Sequence, residues 1–119
     1  MEYMLFFNET AEAFARRADP VKAGPHMAAW GAYIGAMVQA GVMKSGNGLL
    51  APETATTVRL RDGATQVQDG PHADSKEQLG GYAVIDVPSL DVALEWAARS
   101  PSSAYASTEI RPVMPPMAR

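Results

Sequence analysis

The chain has no cysteine, which removes disulfide stapling, thiolate catalysis and any zinc or iron–sulfur centre built on sulfur. It lacks an excess of positive charge as well. Ten Lys and Arg against thirteen Asp and Glu give a net charge of −3 and a pI near 5.3, a balance that repels phosphate backbones. The densest basic groupings are Arg16 with Arg17 and Arg59 with Arg61, and alternating arginines on a strand read as its solvated face. Nucleic acid is therefore not an expected partner. No stretch approaches the ~20 apolar residues that span a bilayer. The N-terminal run Met1–Asn8 carries Glu2 where a signal peptide wants Lys or Arg. A cytoplasmic protein without a membrane anchor is expected. Histidine is scarce too: only His26 and His72 offer an imidazole for acid–base chemistry near neutral pH.

What is present suits one hydrophobic core. Hydrophobic residues make up 47% of 119 residues, and a chain of this size buries roughly two-thirds of its unfolded surface. A single domain over 1–119 is expected, with 114–119 as a flexible tail. Tyr3 to Phe7 has the composition of a buried strand, with Tyr3, Leu5 and Phe7 on one face and Met4 and Phe6 on the other. A thin stripe of Ala11, Phe14, Ala15 and Ala18 predicts a short helix that Asp19-Pro20 stops. Gly24-Pro25 opens a longer helix, in which Met27, Trp30, Tyr33 or Ile34, Met37 and Val38 recur at steps of three and four and end at Gly41.

Further along, Ser45-Gly46-Asn47-Gly48 interrupts Val42–Leu50 and predicts a bulge, a turn or a close backbone approach; it lacks the pattern of a phosphate cradle. Asp62-Gly63 between Thr54–Arg61 and Ala64–Gln68 predicts a tight hairpin, because both central residues of such a turn need positive φ. A polar loop from Asp69 to Leu79 leads to a strand over Tyr82–Val87. Ser89 caps a helix over Leu90–Arg99 whose buried face is Leu90, Ala93, Leu94, Ala97 and Ala98. Ser100–Ser103 closes that helix, and Thr108–Val113 forms a last strand.

This order specifies an α+β domain of split βαβ or ferredoxin-like type: an antiparallel sheet with two main helices on one face and an added hairpin. The second sheet face needs cover of its own. Tyr3, Tyr82, Val84 and Ile110 are expected to leave apolar area there, and a face-to-face homodimer is the natural remedy.

Asp69-Gly70-Pro71, then Lys76-Glu77-Gln78-Leu79-Gly80-Gly81-Tyr82, then Ala93-Leu94-Glu95-Trp96-Ala97 closely resemble the DGPF branch of the YCII-related domain family. The likeness runs from Glu2 to Val113. It implies a small ferredoxin-like domain of the dimeric α–β barrel type, with a pocket between sheet, helix and loop. Genes of the DGPF branch are often reported beside those of extracytoplasmic-function sigma factors, which implies a link to transcriptional regulation. Elsewhere in the wider family a related enzyme removes chloride from a chlorinated hydroxyquinol, and a His–Asp pair is suspected of the chemistry. The position of that histidine, at the start of the first long helix, resembles His26. The chain departs from its branch at His72, where the motif usually has phenylalanine.

Candidate catalytic residues are accordingly His72, Asp69 and His26. His72 lies three residues after Asp69 and two before Asp74, so that a carboxylate can orient its ring; the alternative is a solvated loop side chain. His26 is either a proton-transfer group or a first-turn residue packed near Trp30. Asp69 either orients a histidine or accepts backbone N–H groups in its own turn. Pro71, Lys76 and Tyr82 are candidate ligand contacts near the loop, Lys76 and Glu77 otherwise forming a surface charge pair. Asp86 is an outward-facing strand position or a paired one. No spacing brings His26, His72 and a carboxylate together as metal ligands, so neither a metal nor another cofactor is expected. Two function classes stand: a dimeric module that binds a ligand or partner, or a small-molecule lyase or hydrolase using His–Asp acid–base chemistry.

Overall fold

The structure, a computed structural model, describes residues 1–73 and 75–117. Its elements run β1 (Glu2–Thr10), α1 (Ala11–Arg16), α2 (Ala23–Gln39), β2 (Met43–Gly48), β3 (Thr56–Arg61), β4 (Ala64–Asp69), β5 (Glu77–Asp86), α3 (Leu90–Ala98), α4 (Pro101–Tyr105) and β6 (Ser107–Pro112), with a single 3₁₀ turn at Pro52–Thr54. The four strands β2-β5-β1-β6 form one antiparallel sheet in that order. With β3–β4 set aside as an insertion, this is the ferredoxin-like order expected from the sequence. The apolar strands β1 and β5 take the centre, while the edges carry Lys44, Ser45 and Asn47 on β2 and Glu109, Arg111 and Pro112 on β6, residues that discourage further pairing.

Strict alternation on β1 sends Tyr3, Leu5, Phe7 and Glu9 to the helix side. There Tyr3, Leu5 and Phe7 pack with Ala83, Ile85 and Val87, with Tyr33 and Met37 of α2, and with Ala93 and Ala97 of α3. The Tyr33 hydroxyl donates to the Trp96 carbonyl at 2.9 Å and ties α2 to α3. Phe7, Trp30 and Tyr33 meet edge to face, with ring centroids 5.0–6.0 Å apart, the arrangement that aromatic quadrupoles favour.

Several expectations need correction. Tyr3 is buried under the helices and Ile110, opposite Leu5, shares that side, so the helix-free face is instead Met4, Phe6, Tyr82 and Val84, all half-buried. On α2 the inward residues are His26, Tyr33 and Met37, whereas Met27 and Val38 are exposed. On α3 Leu90 and Leu94 are exposed, and Val92 and Trp96 pack on the core beside Ala93 and Ala97. The buried residue of α1 is Ala13. Ser100–Ser103 does not simply end α3: Ser100 caps α4, its hydroxyl accepting from the Ser102 N–H. β5 begins at Glu77, five residues before Tyr82.

The β3–β4 hairpin turns through Asp62 (φ 52°) and Gly63 (φ 75°), the two positive φ values that the Asp-Gly pair predicts. Residues 113–117 follow β6 without helix or strand, and Ala118 and Arg119 of the expected tail lie outside the described residues. Among the described residues no helix is long and apolar enough to cross a membrane.

Candidate functional site

Alternation carries one residue too many for a purely apolar strand. In phase with Tyr3, Leu5 and Phe7 comes Glu9, whose side chain is 2% exposed. A buried carboxylate needs partners, and the fold supplies them from three distant segments. The β1–β5 register slips between Phe7 and Asn8 and leaves Gly80 as a bulge. A Cβ on Gly80 would stand 2.2 Å from Glu9 Oε2, so the missing side chain is the room that the carboxylate occupies. Arg17, just past α1, reaches back: Nη2 donates to Glu9 Oε2 at 2.6 Å and to the Gly80 carbonyl at 3.2 Å, and Nη1 donates to the Leu49 carbonyl at 2.5 Å. From α4, the Tyr105 hydroxyl donates to Glu9 Oε1 at 2.6 Å and accepts from Trp30 Nε1 at 3.2 Å. Burial and the Glu9 hydrogen bond both push the Tyr105 phenol well up from its ordinary value, which keeps it a donor.

Both Glu9 oxygens are thus engaged, and His26 is the uncommitted member of the group. Its Nε2 lies 3.8 Å from Glu9 Oε1, and this buried nitrogen has no hydrogen-bond partner among the described residues. Burial lowers the His26 pKa; the Glu9 charge opposes that and Arg16 and Arg17 reinforce it. At neutral pH burial therefore favours the uncharged ring. A neutral imidazole beside a fixed carboxylate can take a proton, since the adjacent negative charge stabilises the imidazolium that results.

This cluster closes one end of a cleft of about 700 Å³ between α2 and the β2–β5 half of the sheet. Phe7, Trp30, Ile34, Met43 and Leu49 supply apolar walls, and Gly46, Gly48, Gly80 and Gly81 keep the sheet side low. Apolar walls with a few convergent polar groups are the usual make-up of a small-molecule site.

The residues singled out from the sequence are dispersed. His26 lines this cleft, and Tyr82 borders it from β5 with its side chain on the helix-free face, where the hydroxyl accepts from Asn47 Nδ2 at 3.0 Å. His72 is exposed, its Nδ1 3.1 Å from Arg59 Nη2. Asp69 is exposed at the end of β4, and Asp74, the other carboxylate considered for His72, lies outside the described residues. Pro71 borders a smaller hollow at the base of the hairpin with Leu50 and Leu79. Lys76 is exposed, and its neighbour Glu77 accepts from Ser107. Asp86 is exposed at the end of β5. Among the described residues the carboxylate brought to a histidine is Glu9, beside His26, and not Asp69. No group of three or more metal-ligating side chains forms among the described residues.

Sequence reasoning passed over Glu9, Arg17 and Tyr105. Glu9 had a signal, the period-two continuation of Tyr3, Leu5 and Phe7. The Gly80-Gly81 pair beside a strand was a second, since paired glycines there mark a bulge or a close approach. Arg17 and Tyr105 carried none.

Comparison with known proteins gives three findings. The sequence profile described as YCII-related domain matches residues 1–116. An uncharacterised protein of Rhizobium meliloti (strain 1021) is 44% identical over 79 residues, which span 64% of this chain and 63% of that protein. Among solved structures, the 5-chloro-2-hydroxyhydroquinone dehydrochlorinase of Burkholderia phenoliruptrix, in complex with 2,5-dihydroxybenzoquinone, superposes with a TM-score of 0.57 at 14% identity, covering 96% of this chain and 94% of that one. A likeness at that identity establishes the shared fold.

Proposed function

The chain belongs to the YCII-related domain family, and from that premise we propose that it holds a small, ring-sized apolar molecule in the α2–sheet cleft and moves a proton on it through His26. The observation that carries this reading is the buried Nε2 of His26, unpartnered and 3.8 Å from a carboxylate fixed by Arg17 and Tyr105, in the wall of an apolar cleft. Glu9 here supplies a fixed compensating charge, and the imidazole is the group free to change charge. Proton removal of this kind begins eliminations, which makes a lyase the reaction class of choice. The dehydrochlorinase that shares the fold is compatible with this class, and its quinone serves as a probe.

A second reading, binding without turnover, is favoured by the full engagement of both Glu9 oxygens. The Asp69-Gly70-Pro71 turn puts the chain in the DGPF branch on our reading, and the regulatory link expected for that branch goes with this second function. In either case we read the protein as a homodimer in the cytoplasm, the dimer supported by the half-buried apolar face of Met4, Phe6, Tyr82 and Val84.

The test uses 2,5-dihydroxybenzoquinone and simple hydroquinones as probes, with binding followed by saturation-transfer NMR and conversion by absorbance. A Cβ at Gly31, on the cleft wall, meets no atom within 4 Å, so Gly31→Trp starts in open space and is the substitution chosen to occupy the cleft. Binding to the wild type, weakened at least about tenfold by Gly31→Trp, supports the cleft. Binding indifferent to Gly31→Trp rejects it. Conversion abolished by His26→Gln while binding persists supports proton transfer; binding without conversion in the wild type establishes the second reading.

A further inference from the structure

The β3–β4 hairpin is amphipathic in the inverse sense to that expected of an isolated chain. Its register sets Val58 opposite Val67 and Leu60 opposite Thr65, so these four share one face. That face is bare: Val58 is 62% exposed, and Leu60 and Val67 are each 65% exposed. The polar face is the one that makes internal contacts. Thr57 Oγ1 donates to the Gly70 carbonyl at 2.9 Å, Arg59 Nη1 donates to Gln68 Oε1 at 3.1 Å, and Arg59 Nη2 lies 3.1 Å from His72 Nδ1. A hairpin standing alone in water gains nothing from presenting its valines and leucine outward, and two-stranded hairpins are marginal without a hydrophobic partner.

Molecular dimensions indicate how much cover is missing. The chain exposes 7969 Å², roughly 1,700 Å² more than the ~6,200 Å² of an ordinary folded monomer of its mass. Its radius of gyration is 16.2 Å, against about 13.5 Å for a compact domain of this length, and it is only 18 Å thin along its shortest axis. A stable dimer interface hides ~800 Å² per partner, well within that excess. The same chain also carries a second unpartnered apolar surface, the helix-free face of Met4, Phe6, Tyr82 and Val84. Two copies supply each other's missing cover.

We infer that the β3–β4 hairpin is an arm that packs through Val58, Leu60 and Val67 on a second copy of this chain. The inference rests on the homodimer of the preceding section and adds the element that holds it together. Sedimentation velocity on the wild type and on the double variant Val58→Lys/Val67→Glu tests it, because opposite charges at facing positions preserve the hairpin while removing its apolar face. The wild type is expected to sediment as a dimer and the double variant as a monomer, its dimer dissociation constant raised at least about tenfold. Leu60→Lys is expected to act the same way, which separates a lost contact from a lost hairpin. Gln66→Glu, on the polar face beside Arg59, leaves the dimer intact. A monomeric wild type overturns both the dimer and the arm. Wild-type and both apolar-face variants all dimeric overturns the arm alone and leaves the sheet face as the interface.

Discussion

Glu9 and Gly80 are complementary in the strict sense that one occupies the space the other lacks. Gly80→Ala puts a carbon where Glu9 Oε2 lies, and the carboxylate cannot step aside without giving up Arg17 or Tyr105. A loss of about 1–3 kcal/mol is expected, the usual range for overpacking, measured by urea unfolding with Gly31→Ala as a control on open space. His26 sets a pH dependence of definite sign. Burial holds its folded-state pKa below the ordinary 6.5, so as pH falls through that value the unfolded chain takes up a proton that the folded chain refuses. Stability is complete above about pH 6.5 and declines from there toward the lower folded-state pKa. Glu9 opposes the effect, Arg16 and Arg17 add to it, and Tyr105 stays neutral throughout. Melting temperatures between roughly pH 7 and 5 should therefore fall in the wild type and flatten in His26→Gln; an equal slope in both would assign the decline to other groups. At this scale the site was half legible. Period-two alternation reaches Glu9 two residues beyond Phe7, but Tyr105 is 96 residues away from it, and no local pattern encodes a contact made by topology.

At the scale of elements, α4 shows how much a short segment can matter. Five residues do not hold a helix by propensity, so its cap carries unusual weight: the Ser100 hydroxyl accepts from the Ser102 N–H and lies 2.7 Å from the Ser102 hydroxyl, which lies 2.7 Å from that of Thr108. Ser100→Ala is expected to cost about 1–2 kcal/mol, and because α4 ends in Tyr105 the variant should also loosen the Glu9 hydrogen bond, visible as faster exchange of the Trp30 indole N–H. The expectation of a terminated helix at Ser100–Ser103 missed this, since a capping serine followed by proline reads equally as a stop and as a new start. α2 was legible as a helix, its buried face only in part. The expected stripe of Met27, Trp30, Tyr33 or Ile34, Met37 and Val38 already held Tyr33 and Met37, and it erred at its ends, where His26 is buried in place of Met27 and Val38 is exposed; the helix's alanines and glycines give hydropathy little with which to choose.

For the whole molecule, order and pairing followed from punctuation and alternation. The Asp62-Gly63 turn, the Ser89 cap and the apolar β1 and β5 suffice to generate the ferredoxin-like arrangement. The hairpin's orientation did not follow, because alternation states which residues share a face and not which face meets the body. The register that the Asp62-Gly63 turn sets puts Val58, Leu60 and Val67 on one face.

The glycines bordering the cleft have a further consequence, for how selectivity can change over evolutionary time. At Gly31 and Gly48 an added side chain enters open space, so each point substitution there reshapes the vestibule without disturbing the buried Glu9 group or the core. Lineages that keep Glu9, Arg17, His26 and Tyr105 can acquire clefts of different shape through these two positions, one tolerated step at a time.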